Sequence, residues 1–335
     1  MRKTVKIKPA FYMIVICIAV VFAAILSVFL GSTKIPVLEV LQALVSPDGT
    51  SHAHLAVLEL RIPRTIGDLL VGAALACAGA MMQGVTRNPL ADCGLLGINA
   101  GASFALALCL GVFSTMDFGW SVLASMAGAT VAALLVFGSM RVGRRPFDTG
   151  RLVLAGLAVS MLFTSLAQAI SLFTNTGQDL AFWSAGGVAG IRMEQLKIVG
   201  PILLAGLVWG LLLAKKVAVL SLGEEVAQGL GVPVKRATLQ CLAAVLLMAA
   251  CSVALAGPIA FVGLLVPYIA RFWIGPSYET LIPASMVTGA LFMVVADLIS
   301  RVVNAPSETP VGLIFAIIGV PVFVALARKG GRGFE

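Results

Sequence analysis

The chain has 335 residues, of which 60% are hydrophobic and 11% charged. A soluble domain carries about 25% charged residues, so the composition excludes one and indicates a polytopic membrane protein. The formal charge of +8 invites a nucleic-acid reading, but the basic residues are spread over the segments between apolar runs, which argues against nucleic acid as a partner.

No stretch shows the roughly ten-residue alternation of a membrane barrel, so the expected class is all-α. The opening "MRKTVKIKPAFYMIVICIAVVFAAILSVFLG" has the basic head of a signal peptide. Its apolar run exceeds the usual length of about 7–15 residues and lacks an A-x-A-like cleavage site, so 11–30 reads as a retained first span. The loop that follows holds both histidines, His52 and His54; "HAH" has metal-ligand chemistry, but a solvated loop is the plainer reading. Arg61 and Arg64 then precede the second span, 66–84. Asp68 follows Arg64 by four residues, which allows an ion pair on one helix face. In "RNPLAD", Asn88 and Pro89 favour a turn that leaves the helix, freeing Leu90 to project as an apolar plug. Spans are expected at 94–113, 119–140, 152–173 and 196–214, with Gly97, Ala100, Gly101 and Ser103 letting helices approach closely.

The stretch "SLGEEVAQGLGVPVKR", 221–236, is a polar island. Ser221 and Glu224 fit an S-x-x-E capping box, Glu224 and Glu225 suit a first turn, Gly231 can close the end and Pro233 forbids continuation. A helix of about eight residues is marginal alone, so Val226, Ala227 and Leu230 are expected to hold it to the rest of the molecule.

Residues 237–274 form one nearly continuous apolar run. As a single helix it would reach about 57 Å, nearly twice the lipid core of about 30 Å. Gly257 and Pro258 supply the break, giving spans at 237–256 and 259–273. The ninth, 281–300, carries Asp297 four residues before Arg301, and the tenth is 311–327. With ten spans and both termini in the cytoplasm, 17 of the 23 lysines and arginines lie inside, as the positive-inside rule asks. Lys34, Arg61, Arg64, Arg192, Lys197 and Arg301 lie outside. Fusing the doubtful pair of spans weakens that bias, and with ten spans the island at 221–236 faces the cytoplasm.

Several chemistries find no residues. None of the lysines follows a glycine, so there is no G-x-x-x-x-G-K-[ST] and no ATP site of that kind. H-E-x-x-H is absent, no catalytic constellation is evident, and an intramembrane enzyme therefore lacks its parts. The six cysteines, 17, 77, 93, 109, 241 and 251, show no C-x-x-C spacing and read as small buried hydrophobes, with no metal site or cofactor implied. An ion-coupled secondary transporter would place ionisable groups near the midplane, where Asp68 and Asp297 do not suffice.

"LRIPRTIGDLLVGAALACAGAMMQGVTRNPLADCGLLGINAGASFA", "LSLGEEVAQGLGV", "VALAGPIAFVGLLVPYIAR", "ADLISR" and "ETPVGLIFAIIGVPVF" together resemble the FecCD family of permeases, over essentially the whole chain. The resemblance implies one transmembrane permease domain, 1–335, of ten helices. It implies a transport subunit, not an enzyme, in a bacterial cytoplasmic membrane. Its cargo would be an iron(III)-siderophore, or alternatively haem or cobalamin. It further implies a second permease, identical or related, an extracytoplasmic substrate-binding protein, and ATP-binding-cassette ATPase subunits that hold the ATP and Mg. The segment 220–236 would be the ATPase-coupling element, through Ser221, Gly223, Glu224, Glu225, Ala227, Leu230 and Gly231. Arg61, Arg64 and Arg301 match positions that receive acidic residues of the binding protein; read from sequence alone, they equally suit anchors at headgroup level. Asn88, Leu90 and Thr149 match a cytoplasmic gate. Cys93, Asp68 and Tyr268 depart from the family pattern, Tyr268 standing where histidine is usual.

Overall fold

The computed structural model describes residues 9–46, 48–112, 118–141, 149–304 and 308–330, and those residues are helical with no strand. In chain order the helices are α1 (Pro9–Phe29), α2 (Val37–Val45), α3 (His52–Leu55), α4 (Ile62–Thr86), α5 (Ile98–Val112), α6 (Phe118–Arg141) and α7 (Thr149–Thr174). They continue as α8 (Gly177–Ser184), α9 (Met193–Leu220), α10 (Glu224–Gly229), α11 (Val234–Ala256), α12 (Val262–Ile274), α13 (Tyr278–Val303) and α14 (Val311–Gly330). A π-helical turn, Ala56–Arg61, joins α3 to α4.

Among the described residues, seven stretches are long and apolar enough to cross a membrane: Pro9–Phe29, His52–Thr86, Trp120–Ser139, Gly150–Thr174, Met193–Leu220, Val234–Ala256 and Tyr278–Val303. Ile98–Gly111, Val262–Ile274 and Val311–Ala325 are shorter apolar helices. Together they occupy the ten apolar runs of the sequence, although length by itself supports seven crossings.

Helix α4 is the axis of the bundle. Every residue from Val71 to Thr86 is buried, because α13, α11, α9 and α12 all pack against it. The sequence permits this through small side chains: a Cβ at Gly79 would land on the backbone of Gly263 in α12, and one at Gly72 on the carbonyl of Gly289 in α13. Backbones approach this closely only where side chains are missing. Gly101, singled out for the same reason, meets Gly128 of α6. By contrast α1 exposes Phe11, Ile14, Ile18 and Phe22, and α7 exposes Leu154, Met161 and Phe173, surfaces suited to lipid.

The break between α11 and α12 falls where expected. Gly257 adopts φ 66° and Phe261 φ 70°, and the freed carbonyl of Ala256 accepts from Gly187 N–H at 2.7 Å. The segment around the histidines corrects the loop reading: both lie on α3. His54 is buried, its Nδ1 accepting from the Asp48 N–H at 3.0 Å. No group of three or more metal-ligating side chains occurs among the described residues.

Candidate functional site

At one end of the bundle, α9 runs into the polar island. The expected capping box does not form. Ser221 keeps helical φ −66° as the C-cap of α9, and its hydroxyl donates back to Ala218 O at 2.7 Å, a local bond that serine makes to the preceding turn. The turn is made instead by Gly223 at φ 112°, the N-cap of α10, with no side-chain cap. Glu224 and Glu225 occupy the first turn as expected. Gly231, at φ 76°, closes the helix: its N–H donates to Gln228 O at 2.9 Å and the Val232 N–H to Ala227 O at 3.0 Å. That is the Schellman pairing, which a glycine in the left-handed region makes without strain.

Only Ala227 of the three expected anchors is buried. Val226 is 49% exposed and Leu230 61%, and Leu222 just before the helix is 62% exposed. The bundle covers the Ala227 methyl group of α10 and leaves its larger apolar side chains uncovered.

Beside it, the end of α4 makes a second left-handed closure at Arg87, φ 54°. The Arg87 N–H donates to Gly84 O at 3.4 Å and the Asn88 N–H to Gln83 O at 3.2 Å. The chain then turns as "RNPL" suggested: Asn88 Oδ1 accepts from the Leu90 N–H at 3.0 Å, and Leu90 is half-buried. Asp92 caps the 3-10 turn Cys93–Leu96 with its carboxylate, accepting from the Cys93 N–H at 2.9 Å. Burial raises its pKa, and bonds from the Cys93 and Gly94 backbones and the Cys93 thiol oppose that shift. Thr149 begins α7; its side chain lies outside the described residues. Under this loop Arg271 donates to Gln83 Oε1 at 3.3 Å and to the Tyr278 hydroxyl at 3.0 Å, a polar cross-brace between α4, α12 and α13 that nothing local in the sequence announced.

The other end of α4 lies about 35 Å away, by a rise of about 1.5 Å per residue from Arg64 to Arg87. Arg61, Arg64 and Arg301 meet there, and all are buried, at 6%, 8% and 2% exposure respectively. Arg64 does not pair with Asp68 on its own helix. Its Nη2 bonds Asp297 Oδ1 at 2.7 Å and its Nη1 forks onto Glu308 at 2.9 and 2.8 Å. Arg301 pairs with Asp297, one turn away as expected. Asp68 is fully buried with Oδ2 3.8 Å from Arg301, too long for a hydrogen bond.

The remaining donors turn to α1. Arg301 Nη1 bonds Ser27 O at 2.9 Å and Leu30 O at 3.3 Å. Arg61 bonds Val28 O at 3.0 Å, Phe29 O at 2.8 Å and Thr33 O at 2.7 Å. Carbonyls at a helix C-terminus lack intrahelical donors and carry partial negative charge, so two guanidiniums cap α1 from other helices. No local pattern announced Glu308, whose partner Arg64 is 244 residues away.

Comparison with known proteins gives consistent relatives. The model of the FecCD transport family matches residues 18–329. The iron(3+)-hydroxamate import system permease protein FhuB of Bacillus subtilis is 41% identical over 313 residues, covering 92% of this chain and 81% of the relative. The ferric enterobactin transport system permease protein FepD of Escherichia coli is 38% identical over 315 residues, 93% of each chain. The vitamin B12 import system permease protein BtuC of Klebsiella pneumoniae is 36% identical over 287 residues, 85% and 86% of the two chains. A solved chain described as an inward-facing metal-chelate type ABC transporter superposes with TM-score 0.82 at 26% identity, covering 96% of this chain and 99% of that one.

Proposed function

The chain belongs to the FecCD transport family, and from that premise we propose that it is the permease of an ATP-binding-cassette importer for iron(III)-siderophores. The cargo reading rests on the relatives whose names specify iron chelates; a relative named for vitamin B12 keeps cobalamin as the second candidate. The permease forms one domain of ten crossings, the three shorter apolar helices included, with both termini in the cytoplasm of a bacterium and the chain in its inner membrane. It breaks no covalent bond and carries no cofactor. ATP and Mg are bound by partner ATPase subunits, an extracytoplasmic binding protein delivers the cargo, and a second permease completes the pathway.

One observation carries the coupling assignment: α10 and its approach present Leu222, Val226 and Leu230 to the outside on a segment flanked by Lys215, Lys216, Lys235 and Arg236. Such flanks place the segment in water, and apolar side chains grouped there fit a protein partner. Ser221, Gly223, Glu224, Glu225, Ala227, Leu230 and Gly231 thus form the element that the ATPase grips. Replacing Glu224 and Glu225 by lysine is expected to abolish uptake of a ferric hydroxamate in vesicles containing permease, ATPase and binding protein, and to release the ATPase on purification. Undiminished uptake with the ATPase still attached would refute the assignment.

Asn88, Leu90 and Thr149 form the inner gate in this reading, which the Asn88 turn that holds the Leu90 N–H supports. Leu90→Ala should raise ATP hydrolysis in the absence of cargo about two- to tenfold, the scale of a lost apolar contact worth about 1 kcal/mol, measured in the reconstituted complex. Arg61, Arg64 and Arg301 serve the docking face by a different route from free surface charges. Their guanidiniums hold α1, α4 and α13 together, and Arg64 brings the half-exposed Glu308 to the rim, so the binding protein meets a charged surface whose shape the buried arginines fix.

A further inference from the structure

The ion pair between Arg87 and Glu224 belongs to neither the coupling helix nor the gate alone. Arg87 stands on the last turn of α4, its backbone fixed by the left-handed closure, one residue before Asn88 and three before Leu90. Its Nη2 lies 3.8 Å from Glu224 Oε1, and its Nη1 lies 3.8 Å from where a Cβ at Gly223 would sit. Below this bridge, α9 and α4 already interlock, because a Cβ at Gly84 would strike the buried Val217 near the end of α9. Two connections therefore join the coupling segment to the exit loop, and they differ in kind. Packing of Val217 on Gly84 resists compression, and its attraction is short-ranged, a gap of about 1 Å forfeiting up to about half of it. An attraction between opposite charges falls off more slowly with distance.

We propose that Arg87 is a positioning residue, a strut that makes the exit loop follow α10 when α10 is drawn away from the bundle. The proposal rests on the ATPase-coupling reading above and adds the route by which motion reaches the gate. The strut adds little to stability, since its side chains are 46% and 39% exposed and pairs of that kind contribute weakly. Its removal should leave a folded, ATPase-bound permease that hydrolyses ATP to less effect.

The test uses the whole transporter in proteoliposomes with a radioiron-labelled ferric hydroxamate. Arg87→Ala should keep ATPase co-purification and the melting midpoint while lowering iron delivered per ATP hydrolysed about three- to fivefold, the scale of a partly exposed ion pair. Arg87→Lys should restore most of it, which a purely structural defect would not predict. In a second arm, Arg87→Glu, which sets a like charge against Glu224, should lower iron delivered per ATP below the Arg87→Ala value with the ATPase still attached, and Arg87→Gln decides even where Arg87→Ala folds poorly. Wild-type iron delivery per ATP in Arg87→Ala, Arg87→Gln or Arg87→Glu overturns the strut. Wild-type permease that delivers no iron with its ATPase present overturns the permease reading itself.

Discussion

Asp297→Ala should be the most damaging single substitution in the arginine cluster, lowering stability by about 3–5 kcal/mol, because it removes the counter-ion that two buried guanidiniums share. Asp297 has no exposed surface and is the acid that Arg64 and Arg301 share. Removing it leaves Arg64 with Glu308 as its one acidic partner and Arg301 with Asp68 at 3.8 Å, too far for a hydrogen bond. Glu308→Gln, by contrast, touches a pair whose acid is 32% exposed, and should cost no more than about 1 kcal/mol. The measurement is the thermal midpoint of purified protein in detergent, together with the folded fraction recovered from membranes. Equal losses for the two variants would mean that the cluster works as surface charge and that Asp297 is not its keystone.

Gly79→Ala should cost about 3 kcal/mol, the upper end for overpacking. The obstruction is not a side chain that can swing aside but the backbone of Gly263 at the start of α12. A single methyl group must therefore push α12 off α4, disturbing the Gln83–Arg271–Tyr278 brace and the carboxylate of Asp92, whose Oδ1 lies against Gly263. Gly138→Ala in α6 is the control. Nothing lies within 4 Å of a Cβ there, and alanine should add up to about 1 kcal/mol through helix propensity. If both substitutions prove neutral, the close crossing of α4 and α12 is not rigid, and the account of α4 as the axis of the bundle fails with it.

The sequence disclosed what is periodic or local. Apolar runs located every long helix, Gly257 located the break, and the four-residue spacing of Asp297 and Arg301 announced a pair that forms. Local patterns failed where a neighbouring element intervened. Ser221 and Glu224 have the spacing of a capping box, yet Ser221 serves as the C-cap of α9 and its hydroxyl bonds back to Ala218, so Gly223 must make the turn. Arg64 and Asp68 have the spacing of an ion pair, yet the guanidinium finds Asp297 on α13, 233 residues on, and no pattern within one helix encodes that choice. α2, α3 and α8 escaped because helices of nine, four and eight residues offer too few turns for a period. Val226 and Leu230 were expected to anchor α10 on the assumption that apolar side chains face the bundle. On this segment they are exposed, the arrangement on which the proposed coupling role rests.

The capping of α1 bears on how the protein is made. Its terminal carbonyls wait for a donor encoded 274 residues later, and at about 5–20 residues per second the ribosome needs roughly 14–55 s to deliver it. During that interval the first helix can be inserted but not seated, with Arg61 the earliest group able to hold it. Chains stalled before Arg301 emerges should therefore leave α1 open to extraction or protease attack, and its protection should arrive abruptly as α13 is threaded into the bilayer.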